Sequence, residues 1–556
     1  MNRRSFLSTA ATVAGAAAMA PLLSACGDGG GRKAAANTAA GLKSALPTYL
    51  ANAGAVKPDI APVAGGADAA TDPAYLSYPA HPPTSVSGVP GKGGSYTAVT
   101  PLWGTNPPAG NSFFQAMDKA LGIELTVKPA DGNTYDTIVP TMTAAKKLPD
   151  WINLPAWWNA KFNTGSLVGA QLADLTPYLS GDWIKKYPNL AALPTGAWQD
   201  GVWGDRLYGI PCFSTSFGIP GATFYRRDVL EARGITPDQI RSADDLMHLG
   251  KELTDAKRGV WAFDDVWTYL QTAWNVPMNW RIEGGKLVHP FETQEFLEAL
   301  DWHYRLATSG FMHPDALAGD NANGNTRFYS GKTLIGGGGL GAWNLADHQS
   351  GTAADPKYRR GALDALTADG KGTPVIYMGA SSSMISYLNA ALKPAQIEEL
   401  LGVADYLAAP YGTAEYTLVN FGVEGVHHTR VNGVPTFTEE GKKDVQATAL
   451  PFLAAPASVI SNPGGDQVTK DYAAWSAANV KYLTKPPFWG MNFSMPQAIS
   501  VADAAQSVND TLKDCYHGKK KVSDVQAAIA AWRSGPGERL KQWMTTEVLD
   551  KYGAGR

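Results

Sequence analysis

From Ser95 onward the chain alternates between short apolar runs and longer amphipathic ones, and the alternation predicts a layered α/β architecture. Tyr96 to Trp103 reads as a strand, Ser112 to Leu121 as a helix and Ile123 to Lys128 as a second strand. A helix from Tyr135 to Lys147 then leads into the apolar run Trp151-Ile152-Asn153-Leu154. Strands that alternate with helices imply a parallel-type sheet. Ligands of such sheets sit beyond the carboxyl ends of the strands, where the following loops converge. Two loops meet that condition: Gly104 to Asn111, which carries Asn106, and Pro155 to Asn159, which carries Trp157 and Trp158.

The pattern continues. Leu207 to Pro211 is extended, and Thr223 to Leu230 is a strand-to-helix unit in which Asp228 is placed to cap the helix. A helix is expected from Ser242 to Leu253, with Asp244 and Asp245 near its positive end. Phe291 to Thr308 is amphipathic, with Phe296, Leu297, Leu300, Tyr304 and Ala307 along one side.

The first 94 positions lack this periodicity. Arg3-Arg4 precede an apolar stretch that ends in Leu23-Ser24-Ala25-Cys26, the layout of an export signal with a lipidation site at Cys26. Arg3 to Leu7 is similar to the twin-arginine signature, although an ordinary secretory signal with two arginines fits as well. Residues 1–26 are therefore expected to be the signal, and residues 27–94, rich in Ala, Gly and Pro, to form a tether. This predicts a lipid-anchored protein on the outer face of the cell membrane.

Composition sharpens the picture. With 556 residues and 44% hydrophobic content, the chain can bury the core of two or three domain-sized units. A formal charge of -3 gives no electrostatic case for nucleic acid. Cys212 and Cys515 are the cysteines besides Cys26, expected either to pair or to stand as independent buried thiols.

Tryptophan is abundant, 17 in all, and many stand beside Gly, Pro or Asn. A flat indole offers contact area to the C–H face of a sugar while neighbouring amides and carboxylates satisfy the hydroxyls. On that logic the candidate ligand residues are Trp157, Trp158 and Asn159, Trp274, Trp343 and Asn344, and Trp489, with Asn106, Asp264 and Asp265 as polar partners. The competing reading of each tryptophan is core packing. Trp302 and Trp532 are assigned to packing, whereas Trp103 and Trp280 fit either role.

Enzyme signatures are missing from the sequence. Neighbouring carboxylates such as Asp264/Asp265 point apart, whereas a glycosidase sets its pair across one bond. Gly379 to Ser383 lacks the closing glycine of a nucleophile elbow, and His427-His428 lacks zinc-helix spacing. No catalytic residue, cofactor or metal is therefore expected.

Several segments follow one another in a telling order: Tyr208-Gly209-Ile210-Pro211, Tyr225-Arg226-Arg227-Asp228, Gly284-Gly285-Lys286-Leu287-Val288, Ser330-Gly331-Lys332, and Asn420 to His428 with its Gly-x-Glu-Gly-x-His core. This order resembles the family 1 extracellular solute-binding proteins of ABC importers, over Ser95 to the C-terminus. The resemblance implies a periplasmic-binding-protein-like fold of type II: two discontinuous α/β lobes joined by a hinge, with ligand in the cleft. It implies lobe one at residues 95–211 and 375–437 and lobe two at 212–374 and 438–556. It further implies a monomer that captures an oligosaccharide and hands it to permease subunits. A calcium loop of some relatives is not carried over, because Thr254 to Trp261 lacks its oxygen ligands. A secreted carbohydrate-active enzyme, or the same scaffold with a peptide or polyamine, remains open at this point.

Overall fold

The computed structural model describes residues 37–554 except 446–448, 497, 498 and 500. The signal and Cys26 lie outside the described residues. Two sheets organise the body, built from β1 (Ser95–Leu102), β2 (Glu124–Asp131), β3 (Trp151–Pro155), β4 (Gly209–Cys212), β5 (Ala222–Arg226), β6 (Trp261–Phe263), β7 (Thr333–Gly338), β8 (Arg360–Ala362) and β9 (Met384–Leu388). The first sheet has the order β2-β1-β3-β9-β4 and the second β8-β5-β7-β6. In the first, β1 pairs in parallel with β2 and β3, and β9 runs antiparallel between β3 and β4.

Local chemistry sets the elements. The Asn111 side chain accepts from the Phe114 amide at 3.0 Å, and Gly122, at φ 69°, ends the helix Ser112–Leu121. That helix turns Phe113, Met117 and Leu121, four apart, into the first core. Each such side chain contributes about 1.5–3 kcal/mol on burial. The helix Gln294–Thr308, capped by Thr293, buries Phe296, Leu300 and Trp302 in the second core, whereas Leu297 and Tyr304 of the expected stripe are only partly covered. Asp228 does not cap its helix: it forms a bidentate pair with Arg226 at 2.9 and 2.7 Å and accepts from the Arg359 amide. The charge of the fully buried Arg226 competes for the carboxylate more strongly than the helix amides do.

Three crossing segments join the two sheets. They lie side by side through Ser458 N–H to Ser214 O at 2.7 Å and Thr215 N–H to Ser381 O at 3.0 Å. The chain returns to the first sheet at β9, later than the expected bound at residue 375; Ile376–Tyr377 instead pair with Leu483–Thr484. The first core also extends beyond residue 437, since Val445, Leu450, Leu453 and Ala454 pack within it.

Residues 37–94 do not form a free tether. The helix Ala39–Ala45 buries Ala45 in the first core, and the Thr48 and Leu50 amides donate to Gly181 O and Ala191 O at 2.9 Å. Ala74–Tyr75 pair in parallel with Ile460–Ser461, beside the crossings, and Ser85 N–H meets the Glu415 carboxylate at 3.1 Å. The segment lies along the body as a strap.

Cys212 and Cys515 are both free and buried, Cys212 beside Met384 and Phe452 and Cys515 in the second core. Burial pushes the Cys515 thiol up to about 11. No described helix is long and apolar enough to cross a membrane.

Candidate functional site

Strand register fixes which loops face the crossings. Met384 lies opposite both Cys212 and Pro155, so the carboxyl ends of β3 and β4, and of β1 beside them, share the edge where the chain leaves the first sheet. In the second sheet Gly338 pairs with Ala222, the start of β5, and Ile335 with Phe263. Asp264, Asp265 and Gly338 therefore sit at the edge where the chain enters the second sheet. Both ligand-type edges meet at the crossings.

The edge of the first sheet is aromatic. Trp103, which follows β1, stacks with Trp158 at 6.4 Å between ring centroids, lies 6.2 Å from Trp157 and meets the edge of Phe452 at 6.1 Å. Phe213, which follows β4, lies 5.4 Å from Phe452. Trp103 is 46% exposed, Trp157 53% and Phe213 42%, so these rings are held in a group yet left uncovered. Gly132 makes room for this arrangement, because a Cβ there would stand 2.4 Å from the Trp103 ring. Phe213 has φ 52°, a left-handed conformation that costs a bulky residue roughly 1–2 kcal/mol and turns its ring outward at the start of the crossing.

The edge of the second sheet is polar. A cavity of about 340 Å³ is lined by Asp265, Tyr269, Asn321, Asn325 and the run Gly336 to Gly339. A Cβ at Gly337 would approach the Tyr269 ring to 2.8 Å, so glycine lets that ring lie against the floor. Asp264 is spoken for: Arg327 donates to its two oxygens at 2.7 and 2.9 Å. Arg360 is likewise held by Asp347 at 2.6 and 3.0 Å and lies over Phe224. Asp265 keeps accessible surface. It accepts from the Trp267 amide at 2.9 Å, and His517 Nε2 stands 3.9 Å away. Burial works to raise its pKa, but His517, the Trp267 amide and the charge of His303 outweigh burial and hold it below the ordinary 3.8. It is a carboxylate at neutral pH.

The sequence candidates divide accordingly. Trp157 and Trp158 join the aromatic edge, with Asn159 beside them accepting from the Thr164 hydroxyl at 2.9 Å. Asn106 is exposed in the loop after β1. Asp265 faces the cavity, whereas Asp264 lines it from within an ion pair. Trp274 is buried against Trp302 in the second core, and Trp343 is stacked on Tyr472 at 5.3 Å, so both pack and neither faces the cleft. Asn344 caps the helix Leu345–Ala354 by accepting from the Asp347 amide at 3.0 Å. Trp489 lies elsewhere, its Nε1–H donating to Gly379 O at 2.9 Å beside a second cavity. Phe213, Phe452 and Tyr269 escaped the sequence reading, which takes Asp320 to Asn325, and with it Asn321 and Asn325, as a solvated Asn-Gly turn. Trp103 carried a usable signal, since it follows its strand as Trp157 follows β3. No group of described residues has the makings of a metal site.

A family model described as bacterial extracellular solute-binding protein matches residues 104–381. The polygalacturonan/rhamnogalacturonan-binding protein YtcQ of Bacillus subtilis (strain 168) is 23% identical over 387 residues, 65% of this chain and 74% of the relative. Lipoprotein LipO of the same organism is 24% identical over 367 residues, 62% of this chain and 70% of its own. Among solved structures, the alginate-binding protein AlgQ2 superposes with a TM-score of 0.58 at 16% identity, covering 83% of this chain and 99% of AlgQ2. The N-glycan transport solute-binding protein NgtS of Streptococcus pneumoniae gives 0.59 at 14% identity, with 83% and 99% covered.

Proposed function

Because this chain belongs to the bacterial extracellular solute-binding proteins and has their two-lobed periplasmic-binding-protein-like fold of type II, we propose that it captures an uncharged oligosaccharide between its lobes for an ABC importer. It is a binding protein and not an enzyme. The observation that carries the ligand class is that two unlike edges, one aromatic and one polar, both end at the crossings. Trp103 and Trp157 offer exposed indole faces for sugar C–H surface, and Asp265, Asn321 and Asn325 offer acceptors and donors for hydroxyls. Relatives whose names state polygalacturonan, rhamnogalacturonan, alginate or N-glycan support carbohydrate as the class, and because the first three carry uronates, the uncharged character rests on the charge balance of this chain alone.

The charge balance narrows the class. Arg327 and Arg360 at the polar edge are each bound to an aspartate, and Lys161 near the aromatic edge is bound to Asp136. Asp265, with His517 Nε2 3.9 Å away, is thus the carboxylate that keeps surface for the ligand, and it accepts hydroxyls and disfavours a uronate.

Lobe one then comprises the first sheet and its core through Ala454, lobe two the second sheet and the helices around it. Open and closed arrangements exchange about the crossings, and a ligand that touches both edges only when closed shifts the population. Permease subunits would read the closed form of a monomer. Lipidation of Cys26 would hold the protein at the outer face of the membrane, so that Cys26→Ser releases it into the medium.

Thermal midpoint and tryptophan emission, recorded against cellotetraose, xylotetraose, tetragalacturonate, spermidine and a tetrapeptide, test the reading. A saturable rise with a neutral tetrasaccharide that is recovered unchanged supports it. Consumption of the sugar, or a response confined to spermidine or the peptide, contradicts it.

A further inference from the structure

A second cavity, of about 750 Å³, lies beneath the strap and shares no lining residue with the glycine-lined cavity or the aromatic edge. Its wall is drawn from every part of the hinge region. Tyr49 and Asp72 come from the strap, Gln199 from the first lobe, Ser381 from a crossing, and Lys485 and Trp489 from the chain beyond it. The volume falls within the range of small-molecule sites.

Three features mark it as more than a packing gap. The Trp489 ring is fixed by the bond from its Nε1–H to Gly379 O, so an indole face is held at the wall with its donor already used. Gln199 lines the wall with its side-chain amide, whose Oε1 is turned away against Gly490 and has no hydrogen-bond partner among the described residues. The charges nearly cancel: Lys485 pairs with Asp68 at 3.1 Å and lies 5.0 Å from the Trp489 centroid, while Asp72 accepts from Thr215 at 2.7 Å. Burial pushes Asp72 up to about 7, against the Thr215 bond, so it is largely protonated in mildly acidic medium.

We propose that this cavity is a second ligand site, separate from the cleft, that takes one or two rings of an uncharged sugar. The ring's C–H face lies on Trp489, and its hydroxyls meet the side-chain amide of Gln199 at the wall. Strap, crossing and both lobes contribute to the wall, so an occupied site favours whichever hinge angle fits the sugar.

Saturation-transfer NMR on the full chain with glucose, galactose and N-acetylglucosamine tests the site in a background where Trp103→Ala and Trp157→Ala disable the cleft. Persistent transfer to at least one sugar is expected, and it should collapse when Gln199→Leu or Tyr49→Ala is added. Gln199 Oε1 has no partner to lose and Tyr49 is exposed, so both variants keep the fold. Absence of transfer in the cleft-disabled protein, or transfer indifferent to both added variants, overturns the second site. Transfer that is equal with and without the cleft variants, yet lost with Gln199→Leu, supports the second site and contradicts sugar binding in the cleft.

Discussion

Thr215, in a crossing segment, donates its hydroxyl to Asp72 of the strap at 2.7 Å, and this bond ties the N-terminal segment to the hinge. Burial raises Asp72 from the ordinary 3.8 to about 7, with the Thr215 bond pulling the other way. A carboxyl raised on folding holds a proton in the native state that the unfolded chain releases. Its contribution is present below 3.8 and is lost as pH climbs to about 7.

Asp72→Asn removes that dependence. Wild-type stability relative to the variant should fall by up to about 1.4 kcal/mol per pH unit across this window, measured by urea unfolding at several pH values. A difference that stays constant with pH would contradict the assignment.

Asp264 and Arg327 form a buried bidentate pair, and removing one partner strands the other charge. Arg327→Met should cost about 3–5 kcal/mol in chemical denaturation. Asp265→Asn, which keeps an acceptor for the Trp267 amide, should cost less, about 1–2 kcal/mol of unfolding free energy, and weaken sugar binding.

Trp103→Ala or Trp157→Ala should weaken a neutral oligosaccharide at least tenfold, about 1.4 kcal/mol, with little change in stability. Trp343→Ala should do the reverse and lose about 3–5 kcal/mol of stability, because that ring is 4% exposed and stacked on Tyr472. Calorimetry with the same sugar, beside denaturation curves, separates the two classes.

Tetragalacturonate should bind at least tenfold more weakly than an uncharged tetrasaccharide, and Asp265→Asn should narrow the gap. Equal or tighter binding of the uronate would show that a cation at the cleft is freer than the Arg327 and Arg360 pairs indicate.

Much of the scaffold was legible in the sequence because its determinants are local. The helix Ser112–Leu121 is written in Asn111, a four-residue apolar spacing and Gly122. The strap was not legible, since backbone bonds to Gly181 and Ala191 and the distant Glu415 leave no periodic trace. The site was legible in half. A tryptophan followed by asparagine reads alike whether the asparagine caps a helix, as Asn344 does, or follows the aromatic edge and accepts from Thr164, as Asn159 does. Trp343 is buried because Tyr472 arrives from a remote segment, and Phe213 and Phe452 become neighbours only through the fold.

The most direct measurement is the distance between spin labels at Asn133→Cys and Ala322→Cys, exposed positions outside the cavity lining on the two lobes, the native cysteines being buried. A neutral tetrasaccharide that raises the thermal midpoint should shorten this distance, and Trp103→Ala with Trp157→Ala should abolish the change. A distance unaltered at saturation would contradict capture by closure of the lobes.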